Sequence, residues 1–195
     1  MKFKLLKYLK FLGKDNIIRR YFVMNSFDGA LTILGLLIAL FFANVKEAKI
    51  IVVSCLGAGI AMFVSGIYGA YAAERAERLR ELKELEKHLM TDLDETKIGR
   101  KLAQVSILVA LVDGLSPFLV SLLLSMPFIL SSMNFFSLEY GFFISFMLIL
   151  SMLFSLGFIV GKIAVENPIK EGIKTLSAGI IVGMLLFILE FLKVI

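Results

Sequence analysis

Five apolar runs, each long enough to cross a lipid bilayer, leave this chain few choices of fold. They cover roughly 21–43, 49–72, 103–130, 138–161 and 173–192, and a helix needs about 20 apolar residues to cross the hydrocarbon core. In lipid the backbone N–H and C=O groups must be satisfied within the protein, so such runs fold as helices. Apolar residues make up 59% of the 195, above the roughly half expected of soluble domains. The sequence therefore predicts an all-α integral membrane protein, multi-pass, with five transmembrane helices in the cell membrane and the lipid bilayer as its first partner.

Charge placement predicts the direction of those helices. Lys2, Lys4, Lys7, Lys10, Lys14, Arg19 and Arg20 precede the first run, and Arg75, Arg78, Arg80, Lys83, Lys87, Lys97, Arg100 and Lys101 lie between the second and third. Lys162, Lys170 and Lys174 follow the fourth, while the opposite side carries only Lys46, Lys49 and Lys193. Positive loops stay in the cytoplasm, which predicts N-in and C-out. The same bias explains the net charge of +5, so no nucleic-acid partner is implied. Residues 1–20 read as an amphipathic cytoplasmic helix rather than a signal peptide, because lysines interrupt the leucines. Residues 21–195 form the five-helix membrane domain. Its cytoplasmic linker, 73–101, lacks Gly and Pro until Gly99, so the second helix is expected to extend out of the membrane.

Two carboxylates fall inside apolar runs, where a charge is costly and is usually kept for a task or a partner. They share a local pattern: "FDGALTILGLLIAL" holds Asp28 and "VDGLSPFLVSLLL" holds Asp113. Both place Asp-Gly in the cytoplasmic half of a helix running in the same direction, as a parallel repeat would. At 1.5 Å per residue, Asp28 lies about 12 Å beyond Arg20 and Asp113 about 18 Å beyond Lys101. Pro117 lacks the N–H that would bond the Asp113 carbonyl. A carboxylate and a freed carbonyl at one level suit a cation that prefers hard oxygen ligands; the alternative is a protonated Asp113 bonded to a neighbouring helix. Small residues in "SCLGAGIAMFVSGIYGAYAA", and the pairs Gly157/Gly161 and Gly179/Gly183, predict close helix packing.

The linker offers a second candidate. On a helical wheel Glu74, Glu77, Glu81, Glu84 and His88 fall within a sector of about 80°, and the four-residue spacing of Glu84 and His88 suits two ligands on one metal. The competing reading is a solvated helix braced by pairs such as Glu74–Arg78. His88 is the sole histidine and lies outside the apolar runs, so no serine–histidine pair forms. The aspartates stand in "SFDG" and "LVDG", unlike the Tyr-Asp and Gly-x-Gly-Asp of intramembrane aspartyl proteases. Phosphate loops and dinucleotide fingerprints are absent. Neither enzymatic activity nor a cofactor is expected.

Three segments together resemble the vacuolar iron transporter family, five-span proteins related to the yeast vacuolar iron and manganese importer. They are "SFDGALT", "SGIYGAYAAERAER" and "ENPIKEGIKTLSAGIIVG". The resemblance implies a homodimer that exchanges Fe²⁺ or Mn²⁺ for protons along a path at its interface. It implies a pathway role for Asp28; with Asp113 and Met62 this makes up the candidate transport pathway, and Asp28, Asp113, Glu77, Glu81, Glu84 and His88 are the candidate metal ligands. Met62 corresponds to the family's span-two methionine or lies one turn before it. The family's span-two glutamate is replaced here by Ile67 or Ala58, depending on alignment. The expected function is divalent-cation transport by proton antiport; the alternative is a non-transporting scaffold whose cytoplasmic helix binds a protein partner.

Overall fold

A computed structural model of the chain describes residues 14–91 and 96–192. The regular structure among them is five helices: α1 (Lys14–Phe42), α2 (Ala48–Leu89), α3 (Lys97–Ser132), α4 (Leu138–Ala164) and α5 (Pro168–Phe191). All five are long and apolar enough to cross a membrane. The 42 residues of α2 reach about 63 Å, roughly twice the thickness of a hydrocarbon core. Its apolar half therefore gives way to a charged extension running to Leu89. Met90 stops it in the left-handed conformation, φ 50°, with its N–H bonded to the Glu86 carbonyl.

Of the amphipathic helix expected at 1–20, residues 14–20 are described, and they belong to α1. From Lys14 the chain is one helix through Arg19 and Arg20 to Phe42, because no glycine or proline interrupts it before Gly29. Residues 1–13 lie outside the described residues. The linker at 73–101 is divided between the end of α2 and the start of α3, and residues 92–95 within it also lie outside the described residues.

The central element is α1. Ala30, Ile33, Leu34 and Leu37 are buried against Val120, Leu124 and Phe128 of α3 and Ile149 and Leu153 of α4. The most extensive pairing joins α2 to α3, and α4 pairs with α5 on the other flank. Interhelical polar bonds reinforce this packing: Ser145 donates to the Leu124 carbonyl at 3.0 Å and Thr175 to the Leu153 carbonyl at 2.9 Å. The Asn-Pro of the last motif has a local task. Asn167 accepts from the Ile169 and Lys170 N–H groups, and Pro168 opens α5 at its first turn.

Close approach of α2 and α3 depends on Gly66 and Gly114. A Cβ on Gly114 would stand 2.5 Å from the Phe63 carbonyl oxygen, and one on Gly66 would stand 2.8 Å from Gly114 Cα. Backbone cannot move aside as a side-chain tip can, so the helices would be forced apart. Gly29 has the same duty on α1, where a Cβ would lie 2.8 Å from Pro117 Cα. In both Asp-Gly pairs, then, the glycine makes a helix contact. Gly114→Leu is expected to lower stability by about 1–3 kcal/mol or more, read as a lower unfolding midpoint in detergent. Gly57, where a Cβ meets nothing within 4 Å, is the control: Gly57→Ala should match or exceed wild type. Equal midpoints for Gly114→Leu and wild type would refute the crossing.

Candidate functional site

A groove of about 520 Å³ lies between α1, α2 and α3. Four residues of α1 line it, Tyr21, Asn25, Asp28 and Thr32, spaced so that they form one stripe of a helix. The α2 wall is made of Met62, Ser65, Gly66, Gly69, Ala70 and Ala73, and α3 supplies Asp113 and Pro117. Asp28, Met62 and Asp113, chosen from three separate stretches of sequence, thus border a common space. Small residues on α2 keep it open. A Cβ on Gly66 would stand 2.9 Å from Asp113 Oδ2, so the missing side chain leaves room for that carboxylate.

Asp113 does not stand alone. Its Oδ1 accepts a hydrogen bond from Asn25 Nδ2 at 2.6 Å, and the same amide nitrogen donates to the Tyr21 carbonyl at 2.9 Å. Asp113 is thus bonded to a neighbouring helix, with its partner on α1 and its own oxygen as the acceptor. Asp28 is exposed at the surface of the single chain. The groove gathers carboxylate, amide and hydroxyl oxygens with one thioether, a set suited to divalent cations from hard to borderline.

At the Tyr21 end of the groove the structure divides the acidic row that a helical wheel groups together. Glu74 turns inward and is 9% exposed, as is Arg78 at 7%. Tyr21 Oη donates to Glu74 Oε1 at 2.9 Å, and Arg78 bonds Glu74 at 3.1 Å and Glu81 at 2.8 Å. Farther along, Arg80 bonds Glu84 at 3.3 Å, while His88 Nδ1 lies 2.7 Å from the Glu84 carbonyl. Among the described residues no three His, Cys, Asp or Glu side chains gather as a metal would require. Of the row, Glu81 and Glu84 are paired with Arg78 and Arg80 about one turn away.

Sequence reasoning passed over Asn25, Tyr21 and the inward turn of Glu74. The signal for the first two was present in the Tyr21, Asn25, Asp28, Thr32 spacing. Glu74 carried none, since the wheel places it in one sector with Glu77, Glu81, Glu84 and His88.

No known family's profile matches the chain, and no solved structure matches it. An uncharacterized protein of Methanocaldococcus jannaschii, MJ0645, is 33% identical over 174 residues, covering 88% of this chain and 87% of its own length.

The buried pair gives a stability prediction. Removing Glu74 takes the acceptor from Tyr21 and leaves Arg78 with Glu81 alone, at a cost of about 1–3 kcal/mol. Glu74→Ala should therefore lower the unfolding midpoint strongly. The exposed Glu77 is a surface position where Glu77→Ala should change stability by no more than about 0.5 kcal/mol. Similar midpoints for the two variants would contradict the burial of Glu74.

Proposed function

We propose, for a chain that belongs to the same family as the Methanocaldococcus jannaschii protein, a membrane transporter that exchanges Fe²⁺ or Mn²⁺ for protons. The observation that carries this reading is the meeting of Asp28, Asp113 and Met62 on one groove. Two carboxylates balance the two charges of a divalent cation. When the cation leaves, each carboxyl takes up a proton, so the empty groove crosses its cycle without net charge on these groups. The Met62 thioether favours iron or manganese over magnesium or calcium. The likeness to vacuolar iron transporters belongs to this proposal and supports the same chemistry.

The orientation is N-in and C-out, following the basic loops. The groove then opens in the cytoplasmic half of the membrane, flanked by the extension of α2. A second copy of the chain covers it. Asp28 is exposed on the single chain, and a carboxylate facing lipid at that depth is costly, so a homodimer with the groove at its interface removes the exposure. The alternative, a scaffold without transport, is favoured by the arginine-braced extension of α2.

Proteoliposomes under a pH gradient separate these readings. Uptake of Fe²⁺ or Mn²⁺ should require the gradient and fall to the level of empty liposomes in Asp28→Asn. Met62→Leu should retain Mn²⁺ uptake better than Fe²⁺ uptake, since manganese is the harder ion. If wild type moves no metal while remaining a folded dimer, the scaffold takes over.

A further inference from the structure

The groove has walls that barely touch each other. α1 and α2 each pack heavily on α3 and only sparsely on one another. At the end nearest Glu74 a small apolar cluster joins them, Ile17 and Tyr21 of α1 packing with Ala70 of α2 and Val105, Val109 and Ala110 of α3. A directional polar tie is added to it: Tyr21 Oη on α1 donates to Glu74 Oε1 on α2, 2.9 Å.

The acceptor is held rigidly. Arg78 clamps the other Glu74 oxygen at 3.1 Å and is itself held by Glu81 at 2.8 Å. Both Glu74 and Arg78 are more than nine-tenths buried. Groups held in a buried hydrogen-bonded network have little freedom to swing away. One turn along α1, Asn25 donates to the Tyr21 carbonyl and to Asp113 Oδ1. The turn 21–25 is thus fastened to α2 at one end and to α3 at the other.

We infer that Tyr21 is a positioning residue: its tie to Glu74 sets the spacing of α1 and α2 and, through Asn25, aims the Asp113 carboxylate into the groove. This rests on the transporter reading for its consequence, because a cation arriving at Asp113 meets an oxygen already oriented by Asn25. Partners that orient a metal ligand commonly contribute about 10–100-fold to affinity. Tyr21 acts at one remove, so its share lies at the lower end.

The test uses the full chain in lipid nanodiscs, with Tyr21→Phe removing only the hydroxyl. In a Cys55→Ser background, spin labels at Phe22→Cys and Leu79→Cys, both exposed positions, report the separation of α1 and α2. Loss of the hydroxyl should lengthen and broaden that distance. An unchanged distribution overturns the inference. Binding of Mn²⁺ alone, followed on unlabelled protein, should weaken about tenfold in Tyr21→Phe. The double variant Tyr21→Phe/Asn25→Ala should bind no more weakly than Asn25→Ala, since both act through one route. Additive losses, or a changed distance with unchanged Mn²⁺ affinity, overturn the positioning of Asp113. If wild type binds no Mn²⁺, the transporter reading fails, and the distance comparison still decides whether Tyr21 sets the helix spacing.

Discussion

The crossing of α2 over α3 at Gly66 and Gly114 is the contact on which the groove depends. With no hydrophobic gain available between helices in lipid, specific packing comes from backbones that approach closely. Here the approach is so tight that a single Cβ on Gly114 would meet a carbonyl oxygen at 2.5 Å. The same crossing leaves the Asp113 carboxylate beside Gly66, in space that any larger residue would occupy. α1 then closes the third side, with Gly29 against Pro117 and a core of buried leucine and isoleucine beneath.

This arrangement gives the two Asp-Gly pairs a shared physical logic. In each, the glycine permits a helix contact and the aspartate one residue earlier lines the groove. Adjacent residues on a helix are about 100° apart, so a residue beside a packing seam naturally borders the space next to it. The echo between the two segments follows from this geometry whether or not they descend from one ancestral unit. Polar groups along the groove are then joined to the charged extension of α2 through Asn25, Tyr21 and Glu74. Part of the charged row that a wheel assigns to solvent is the buried frame of the groove.

Much of the fold was legible because helices in lipid are dictated locally. Length and hydropathy marked five of them, and the absence of Gly and Pro in 70–98 let α2 run on past the apolar segment. That residues 14–20 share one helix with the first apolar run was not legible, since a change from basic to apolar residues leaves no mark where a helix continues. Asp28 and Asp113 stood out because carboxylates in apolar runs are rare. Asn25 did not, being an ordinary polar residue near a helix end until its amide is seen 2.6 Å from Asp113. Glu74 and Glu77 are three residues apart in similar company, yet only the first is buried.

The sequence by itself determined the number of helices, their lengths, the extension of the second and the presence of two carboxylates among apolar residues. Those features depend on hydrogen bonds and hydropathy that each segment satisfies alone. Only the tertiary structure decided which faces meet, that Asp28, Met62 and Asp113 border one groove, and that Glu74 and Arg78 turn inward while Glu77 and Glu84 face out. The reason is that a helix's polar residues take their meaning from the neighbouring helix. Here that neighbour is set by where missing side chains let backbones touch.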